Sequence, residues 1–290
     1  MRRRLSGVEF KMDVVVSRVR DEEDLERFQR FPWKVYAEDP NWVPPILSME
    51  RRELNPDGGG FFVGSPGSKA AYFLATIDDE VVGRIAGIRN QSHLNYQKDD
   101  VGFFGFFESI DEVSVARALL NKAEAWLREE GLRISRGPVS FTLGDASGVT
   151  IEGGDMMPTI LMAHTAPYYP DLLAAAGYRK SRDLIGFQLG LEDLKASKME
   201  SEVGAGSLAR DEVRLRQVDR KNIEAEADVA AAVFTESWKW NWGAYPLSGE
   251  NLVRALKELG VFFDERFAYF AEVRGEPAAF VLLLPDPAHL

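Results

Sequence analysis

The chain has 290 residues, which is room for two domains at roughly 150 residues each. Its net charge of −11, from 35 basic and 46 acidic side chains, argues against a surface for nucleic acid or anionic membrane. Without cysteine, the chain can form no disulfide, thiolate metal site or cysteine nucleophile. No apolar run approaches the roughly 18 residues of a membrane span, and none follows the basic residues 2–4. We therefore expect a cytoplasmic protein with no signal peptide and no membrane span.

The first part of the chain alternates between periodic segments and rigid loops. The β-branched residues at 14–20 predict a strand, and the pattern of residues 21–37 predicts a helix with Asp21 as its N-cap. Prolines make residues 39–45 non-helical. Glycine and proline at 57–68 predict a loop.

A hairpin and a strand–helix pair follow. Residues 71–77 and 81–89 read as strands joined by a tight turn, which is a hairpin signal. Residues 101–110 form an aromatic strand, and residues 111–132 carry an apolar stripe at helical spacing. The order predicts a strand that runs directly into a helix N-terminus, a place where α/β proteins often hold phosphates.

Shorter elements follow that pair. Residues 134–140 predict a strand and residues 141–154 a glycine-rich loop. Residues 170–176 predict a short helix with Gly177 as its C-cap. Residues 180–191 predict a closing strand or hairpin.

The second part repeats the first. Its elements match the first part at an offset of about 196 residues, which indicates an internal repeat. We expect a module over residues 1–193, a linker over 194–211 and a partial second module over 212–290. The second module is predicted to contain a strand at 213–218, helices at 223–238 and 249–259, and a hairpin of strands at 267–273 and 278–284.

Four segments carry a resemblance to a known family. In order and composition the chain resembles the GNAT superfamily of acyl-CoA N-acyltransferases, and more specifically two-module bacterial GNAT-like proteins. The resemblance implies an α/β fold with a mixed, splayed sheet, one full module plus a partial, truncated second module. It also implies acyl-CoA, acetyl-CoA or a carrier thioester bound between strands four and five, and a small-molecule amine as acceptor. The segments are residues 31–45, 101–112, 136–184 and 236–252.

The junction after the fourth strand differs from the family's pattern. Many GNAT proteins have a basic, glycine-rich loop there that cradles the CoA pyrophosphate, whereas residues 108–112 are acidic and lack glycine. The carboxylates either cap a structural helix or accompany an unusual donor site. Within the strand, Phe104, Gly105 and Phe106 are the implied donor-binding residues. Gly105 either allows a bulge that exposes an N–H to the thioester or permits close packing.

Amine acylation needs a base for the amine proton and can use an acid for the leaving thiolate. Glu108 is the candidate base, or a solvated strand end. Many GNAT proteins place a tyrosine acid where this chain has Leu173, and the nearest phenols are those of Tyr168 and Tyr169. These two tyrosines are therefore either the catalytic acid or a packing pair.

Acidic residues in the glycine-rich segment are candidates for substrate contact or for turn formation: Asp145, Glu152 and Asp155. The three histidines show no ligand spacing, so we expect no metal site. Trp238, Trp240 and Trp242 favour core and inter-module packing over a stacking platform for an acyl chain or partner.

The last predicted strand, residues 278–284, presents an apolar edge. We expect it to pair with the first module or with a second copy of the chain as a homodimer, unless the gene is truncated. Two functions remain open, so whether the chain is an enzyme is also open. One is an N-acyltransferase that moves an acyl group from CoA or a carrier thioester to an amine. The other is a catalytically silent GNAT-fold protein that binds a ligand or partner in the same cleft.

Overall fold

The computed structural model describes residues 13–190, 192, 212–260 and 263–286. The predicted linker, residues 194–211, lies outside the described residues. The described residues group into two compact units, and each is treated by itself. The first unit contains residues 13–56, 68–90 and 100–179, and the second contains residues 57–67, 91–99 and 180–286 apart from the gaps just given.

In the described part of the chain, eight strands form two sheets, of five and three strands. Apart from the segment at 180–191, the predicted strands are present, within a few residues of their predicted bounds. The strands are β1 (Val15–Arg18), β2 (Lys69–Ile77), β3 (Glu80–Arg89), β4 (Val101–Ser109), β5 (Ile134–Arg136), β6 (Val213–Gln217), β7 (Ala268–Val273) and β8 (Glu276–Leu282).

Helices flank both sheets. The long helix after β4 and the two long helices of the second unit confirm the predicted apolar patterns. The helices are α1 (Glu22–Arg30), α2 (Pro32–Val35), α3 (Leu47–Leu54), α4 (Gly60–Gly64), α5 (Gln91–Gln97), α6 (Val113–Glu129), α7 (Tyr169–Ala175), α8 (Ile223–Trp238) and α9 (Gly249–Leu259).

The sheet of the first unit is mixed, as predicted. Its order is β1-β2-β3-β4-β5, with antiparallel pairs up to β4 and a parallel pair between β4 and β5. A parallel pair needs a crossover connection, and α6 supplies it. The apolar stripe of α6 is buried, and its side chains fill space left by glycines in β3: a Cβ on Gly83 would lie 2.6 Å from Leu119 Cδ1. The predicted mixed α/β class is thus confirmed.

A β-bulge interrupts β4, close to where Gly105 predicts one. Arg84 pairs with Glu108 and Ala86 with Gly105, so two β4 residues oppose the single residue between those partners on β3. Phe106, inside the bulge, has a φ of 50°. A bulge bends its strand and re-aims the side chains beyond it. Here the first side chain beyond it is Glu108.

The sheet of the second unit has the order β6-β7-β8, all antiparallel. It repeats the β1-β2-β3 arrangement in detail. The register shifts between Ala75 and Thr76 in β2, and 196 residues later it shifts between Ala271 and Glu272 in β7. The tight turns also coincide, with positive φ at Asp78-Asp79 and at Arg274-Gly275. The internal repeat that the sequence indicates is therefore present.

Local signals at helix ends were partly right. The Asp21 side chain accepts from the Asp24 N–H at 2.9 Å, as an N-cap does, and Gly177 has the φ of 96° expected of a C-cap. Of the two interpretations of the acidic junction, capping by a side-chain hydrogen bond is not present at Glu112, which occupies the N-cap position of α6 but makes no capping bond. The single helix expected at 21–37 is split, because Pro32 lacks the N–H that would continue α1.

Three other expectations are corrected. Residues 180–190 form no strand, because no neighbouring strand in the described chain satisfies their backbone. The loop predicted at 57–68 contains α4, whose Phe61 and Phe62 are buried. Core packing is wrong for two tryptophans: Trp240 is 88% exposed and Trp238 is 50% exposed, the latter stacked on Phe234 with ring centroids 5.3 Å apart.

Candidate active site

Glu108 lies at the end of β4, just beyond the bulge, where its carboxylate accepts hydrogen bonds from two tyrosine hydroxyls. The Tyr36 hydroxyl donates to Glu108 Oε2 at 2.8 Å, and the Tyr169 hydroxyl donates to the same oxygen at 2.6 Å. Both tyrosines are buried, so these bonds hold the carboxylate in one orientation. Among the described residues, the other oxygen, Oε1, accepts no hydrogen bond and is available to a substrate proton.

The environment of Glu108 shifts its proton affinity. Burial raises the pKa of Glu108 above its ordinary value of 4.5, and this outweighs the opposing effects of the Arg84 charge and of the two phenol hydrogen bonds. Burial, followed by the charge of Glu108, raises the pKa of Tyr169 well above 10. The phenols therefore stay protonated as donors, while the carboxyl is moved towards the range in which a base can both take and release a proton.

Arg84 supplies the nearest positive charge and is itself buried. It faces Glu108 across the β3–β4 pair. Its Nη1 donates to the carbonyl of Phe28 at 3.0 Å and to Glu50 Oε1 at 3.2 Å, and its guanidinium lies 4.9 Å from the Phe28 ring centroid. Because Glu50 shares this charge, Arg84 only partly offsets the effect of burial on Glu108.

Tyr168, the other predicted phenol, contacts the end of β4 rather than Glu108. Its hydroxyl donates to the carbonyl of Ser109 at 2.8 Å, and the Ser109 N–H donates to the Tyr169 hydroxyl at 3.0 Å. Burial, followed by the charges of Asp111 and Glu108, raises the pKa of Tyr168 to about 12. Tyr168 is only partly buried, so of the two tyrosines it is the one open to solvent.

The three residues expected to contact a thioester donor also contact protein, and their role in donor binding stays a prediction. The Val139 N–H donates to the carbonyl of Phe104 at 2.8 Å, and the Phe106 N–H donates to Ser140 Oγ at 3.3 Å. A Cβ on Gly105 would clash with the Val139 carbonyl oxygen, so the glycine permits close packing as well as the bulge. These backbone groups are occupied, and a donor would have to approach Glu108 from another side.

An imidazole–carboxylate pair lies next to the phenols. His164 Nε2 is 2.8 Å from Asp39 Oδ2, and the His164 side chain is buried. The Tyr36 ring centroid is 5.9 Å from that of His164 and 5.2 Å from that of Trp42, on which it stacks. These residues form one cluster of contacts, which runs from Asp39 through His164 and Tyr36 to Glu108.

The predicted substrate carboxylates do not join this cluster. Asp145 closes a local turn, with Oδ2 accepting from the Thr142 N–H at 2.9 Å and from the Thr142 hydroxyl at 2.7 Å. Glu152 and Asp155 are exposed on the loop that follows. Their predicted substrate role remains a prediction.

Sequence reasoning missed Tyr36, Arg84 and Asp39. Tyr36 lies 72 residues before its partner Glu108, so no local spacing connects them. Tyr36 and Asp39 fall in the segment 31–45, which carries the family resemblance, and that was the available signal.

The described residues contain neither a metal-binding group nor a membrane-spanning helix. No group of three or more His, Cys, Asp or Glu side chains among them could hold a metal ion. No helix in the same part of the chain is long and apolar enough to cross a membrane.

Known proteins resemble the chain in sequence, although no family model matches it. Protein YghO of Escherichia coli K12 is 30% identical over 270 residues, covering 91% of this chain and 66% of its own length. A bacterial ceramide synthase of Caulobacter vibrioides is 28% identical over 279 residues, covering 94% of this chain and 70% of its own length. The chain thus spans about two thirds of these relatives.

Two solved structures with low similarity to the chain are a tandem GNAT protein and an aminoglycoside acetyltransferase. A tandem GNAT protein from the clavulanic acid biosynthesis pathway covers 92% of this chain and 73% of its own, with a TM-score of 0.44 and 13% identity. An aminoglycoside acetyltransferase from a soil metagenome covers 61% and 96%, with a TM-score of 0.38 and 14% identity. The sheet of the first unit, with its parallel β4–β5 pair, is mixed, as the sequence resemblance implies.

Proposed function

We propose that the chain is an N-acyltransferase that moves an acyl group from a thioester to an amine, with Glu108 as the general base. The observation that carries the proposal is the Glu108 carboxylate itself. It is partly buried, its pKa is raised, one oxygen is fixed by two phenols and the other is available. A base of this kind is the principal requirement for attack by an amine that must lose a proton.

The reaction follows from this geometry. The amine nitrogen attacks the thioester carbonyl carbon as Glu108 Oε1 takes one of its protons, so a C–N bond forms while the C–S bond breaks. The thiolate leaves and takes a proton from the partly exposed Tyr168 hydroxyl or from the newly protonated Glu108. The buried Tyr169 and Tyr36 position the base and do not reach the substrate.

A similar protein suggests the class of acceptor. The Caulobacter relative is named a ceramide synthase, and a ceramide is the amide of a fatty acid with a long-chain amino alcohol. We propose that this chain also acylates the primary amine of a long-chain amino alcohol, using CoA or a carrier thioester as donor.

One observation supports a second candidate, a GNAT-fold protein that binds a ligand without catalysis. The outer edge of β4 is occupied at Phe104, Phe106 and Ser109, and the junction that follows β4 is acidic rather than phosphate-binding. A protein of this kind would bind the amine but release no thiol.

The test compares acyl transfer by the wild type and by Glu108→Gln. Acetyl-CoA and palmitoyl-CoA are supplied as donors with sphinganine as acceptor, and the amide product is measured by mass spectrometry alongside thiol release. Loss of a general base lowers the rate by about 100- to 10,000-fold, so we expect a loss in that range.

The matched control is Glu112→Gln, which removes an exposed carboxylate from the same junction and should leave the rate unchanged. Equal rates for wild type and Glu108→Gln would refute the assignment of the base. No product from either donor over a panel of amines, with amine binding retained, would favour the second candidate.

A further inference from the structure

A cavity of about 320 Å³ lies in the first unit beside the cluster. Ligand sites in proteins usually occupy roughly 300–1,000 Å³, so this cavity is large enough for a head group but not for a whole long-chain molecule. Two of its walls adjoin the phenols that hold Glu108, since Pro170 follows Tyr169 and the Asp39 N–H bonds to the Tyr36 carbonyl at 3.0 Å. The lining residues are Asp39, Thr150, Ile151, Gly154, Thr165, Pro167 and Pro170.

Asp39 is the charged member of this lining set. Burial alone would raise the pKa of Asp39, but the hydrogen bond from His164 and those from the backbone N–H groups of Asn41 and Trp42 outweigh it and lower the pKa. The carboxylate is therefore ionised at neutral pH. Since neither Lys nor Arg is among the described residues that line the cavity, the Asp39 carboxylate makes it attractive to a cation.

The polar walls also retain hydrogen-bonding capacity. Thr165 Oγ1 accepts from the Thr150 N–H at 2.8 Å, which leaves its own hydrogen to donate. The Thr150 hydroxyl donates to the carbonyl of Ala163 at 3.0 Å, which leaves its lone pairs to accept. One donor and one acceptor thus accompany the Asp39 carboxylate, a set that suits an ammonium group flanked by hydroxyls.

We propose that this cavity binds the polar head of the acceptor, with Asp39 on its ammonium group and Thr150 and Thr165 on its hydroxyls. The proposal deepens the proposed function and rests on it for the identity of the acceptor. Because His164 and Tyr36 lie between Asp39 and Glu108, this is a capture site: the nitrogen leaves Asp39 and gives one proton to water before it reaches Glu108 as a free amine. The hydrocarbon part of the acceptor extends out of the cavity.

The test uses two small probes that differ in one group. The probe 2-amino-1,3-propanediol carries an ammonium group where glycerol carries a hydroxyl. Each is titrated into the 290-residue chain without any acyl donor, and backbone amide shifts are followed by NMR. We expect the amino-diol to shift the amides of Thr150, Ile151 and Thr165 and to bind at least about tenfold more tightly than glycerol.

Three variants distinguish the effect of the Asp39 charge on binding from the effect of blocking the cavity. Asp39→Asn should weaken amino-diol binding by about tenfold, whereas Glu38→Gln, which removes the neighbouring exposed carboxylate, should not change it. Ile151→Trp, on an exposed wall, should block both probes without altering charge, and it keeps the proposal testable if Asp39→Asn unfolds. Equal affinity for the two probes, unchanged binding by Asp39→Asn, or shifts confined to other residues would each overturn the proposal.

The proposed function can fail separately. If Asp39→Asn acylates sphinganine with an unchanged KM while Glu108→Gln is inactive, the acyltransferase stands and the head-group site does not. If the amino-diol binds as expected and no donor yields product, the site stands and the acyltransferase does not.

Discussion

The hairpins β2–β3 and β7–β8 share one backbone plan but differ in burial. Both have the same register break and the same tight turn, 196 residues apart. Phe73 on β2 is 2% exposed, whereas its counterpart Tyr269 on β7 is 37% exposed. On the partner strands, Ile85 is fully buried and its counterpart Val281 is 47% exposed.

The difference comes from what packs on the sheet. In the first unit, α6 covers this face: Leu119 lies against Gly83, and Lys122 Nζ lies 6.0 Å from the Phe73 ring centroid. The repeated sequence therefore specifies the hairpin, while the elements after it decide how much of the hairpin is buried. The candidate base also lies outside the repeated hairpin, because Glu108 belongs to β4 and has no counterpart in the three strands of the second sheet.

The largest expected effect comes from truncating the equivalent aromatic residues. Phe73→Ala should lower the free energy of unfolding by about 4 kcal/mol, because it empties a closed site under α6. Tyr269→Ala should lower it by about 1 kcal/mol, because that ring already contacts solvent. Urea unfolding of both variants measures the two losses, and equal losses would contradict the comparison.

The next contrast concerns two partly buried carboxylates, whose removal should change the free energy of unfolding in opposite directions. Glu272 in β7 pairs with Arg216 at 2.5 Å, and Arg216 also pairs with Glu226 at 2.8 Å. Glu272→Gln therefore removes one of two charged partners and should destabilise by about 2 kcal/mol at pH 7. Glu108→Gln should instead stabilise. A carboxyl whose pKa is raised by folding contributes stability below its ordinary 4.5 and loses it as pH rises through the raised value.

Thermal unfolding between pH 4 and pH 8 measures this contrast. The advantage of Glu108→Gln over the wild type should be greatest at the upper end and should fade as the pH drops below about 4.5, where wild-type Glu108 is also neutral. Destabilisation by Glu108→Gln at neutral pH would mean that the phenol hydrogen bonds outweigh burial.

A smaller contrast in stability is expected when side-chain volume is added at equivalent positions of the two hairpins. Gly83→Val should destabilise by about 2 kcal/mol, since its Cβ meets Leu119 and lies 3.1 Å from the Glu108 carbonyl oxygen. Ala279→Val, at the equivalent exposed position, should change stability by less than about 0.5 kcal/mol. Urea midpoints measure both, and a large loss for Ala279→Val would indicate that the second face is covered in solution.

The smallest effect concerns the sheet edges. β4 pairs with the outer edge of β3, whereas β8 is the last strand in its sheet. We expect the edge of residues 278–284 to be protected by pairing in a homodimer. A monomer in light scattering, together with rapid amide exchange at residues 280–284, would contradict this.

Much of the fold was predictable because its signals are local. The Asp78-Asp79 turn, the Asp21 cap, the Gly177 C-cap and the stripe of α6 each depend on residues a few positions apart. The strand predicted at 180–190 was wrong because its signal is not sufficient locally. Its residues alternate as in a strand, but a strand forms only when a neighbouring strand pairs with its backbone. The prediction for Trp240 was wrong because the sequence does not show whether an aromatic side chain faces the core or the solvent.

By itself, the sequence determined the repeated strand–helix–hairpin plan, the mixed sheet and the candidacy of Glu108 and Tyr169. Only the tertiary structure decided what those groups do. It brings Tyr36 across 72 residues to the same carboxylate oxygen, places Val139 and Ser140 along β4, and forms the cavity at Asp39. Burial and charge depend on all the groups around a side chain, so the proton affinity of Glu108 is set by the folded chain and not by its neighbours in sequence.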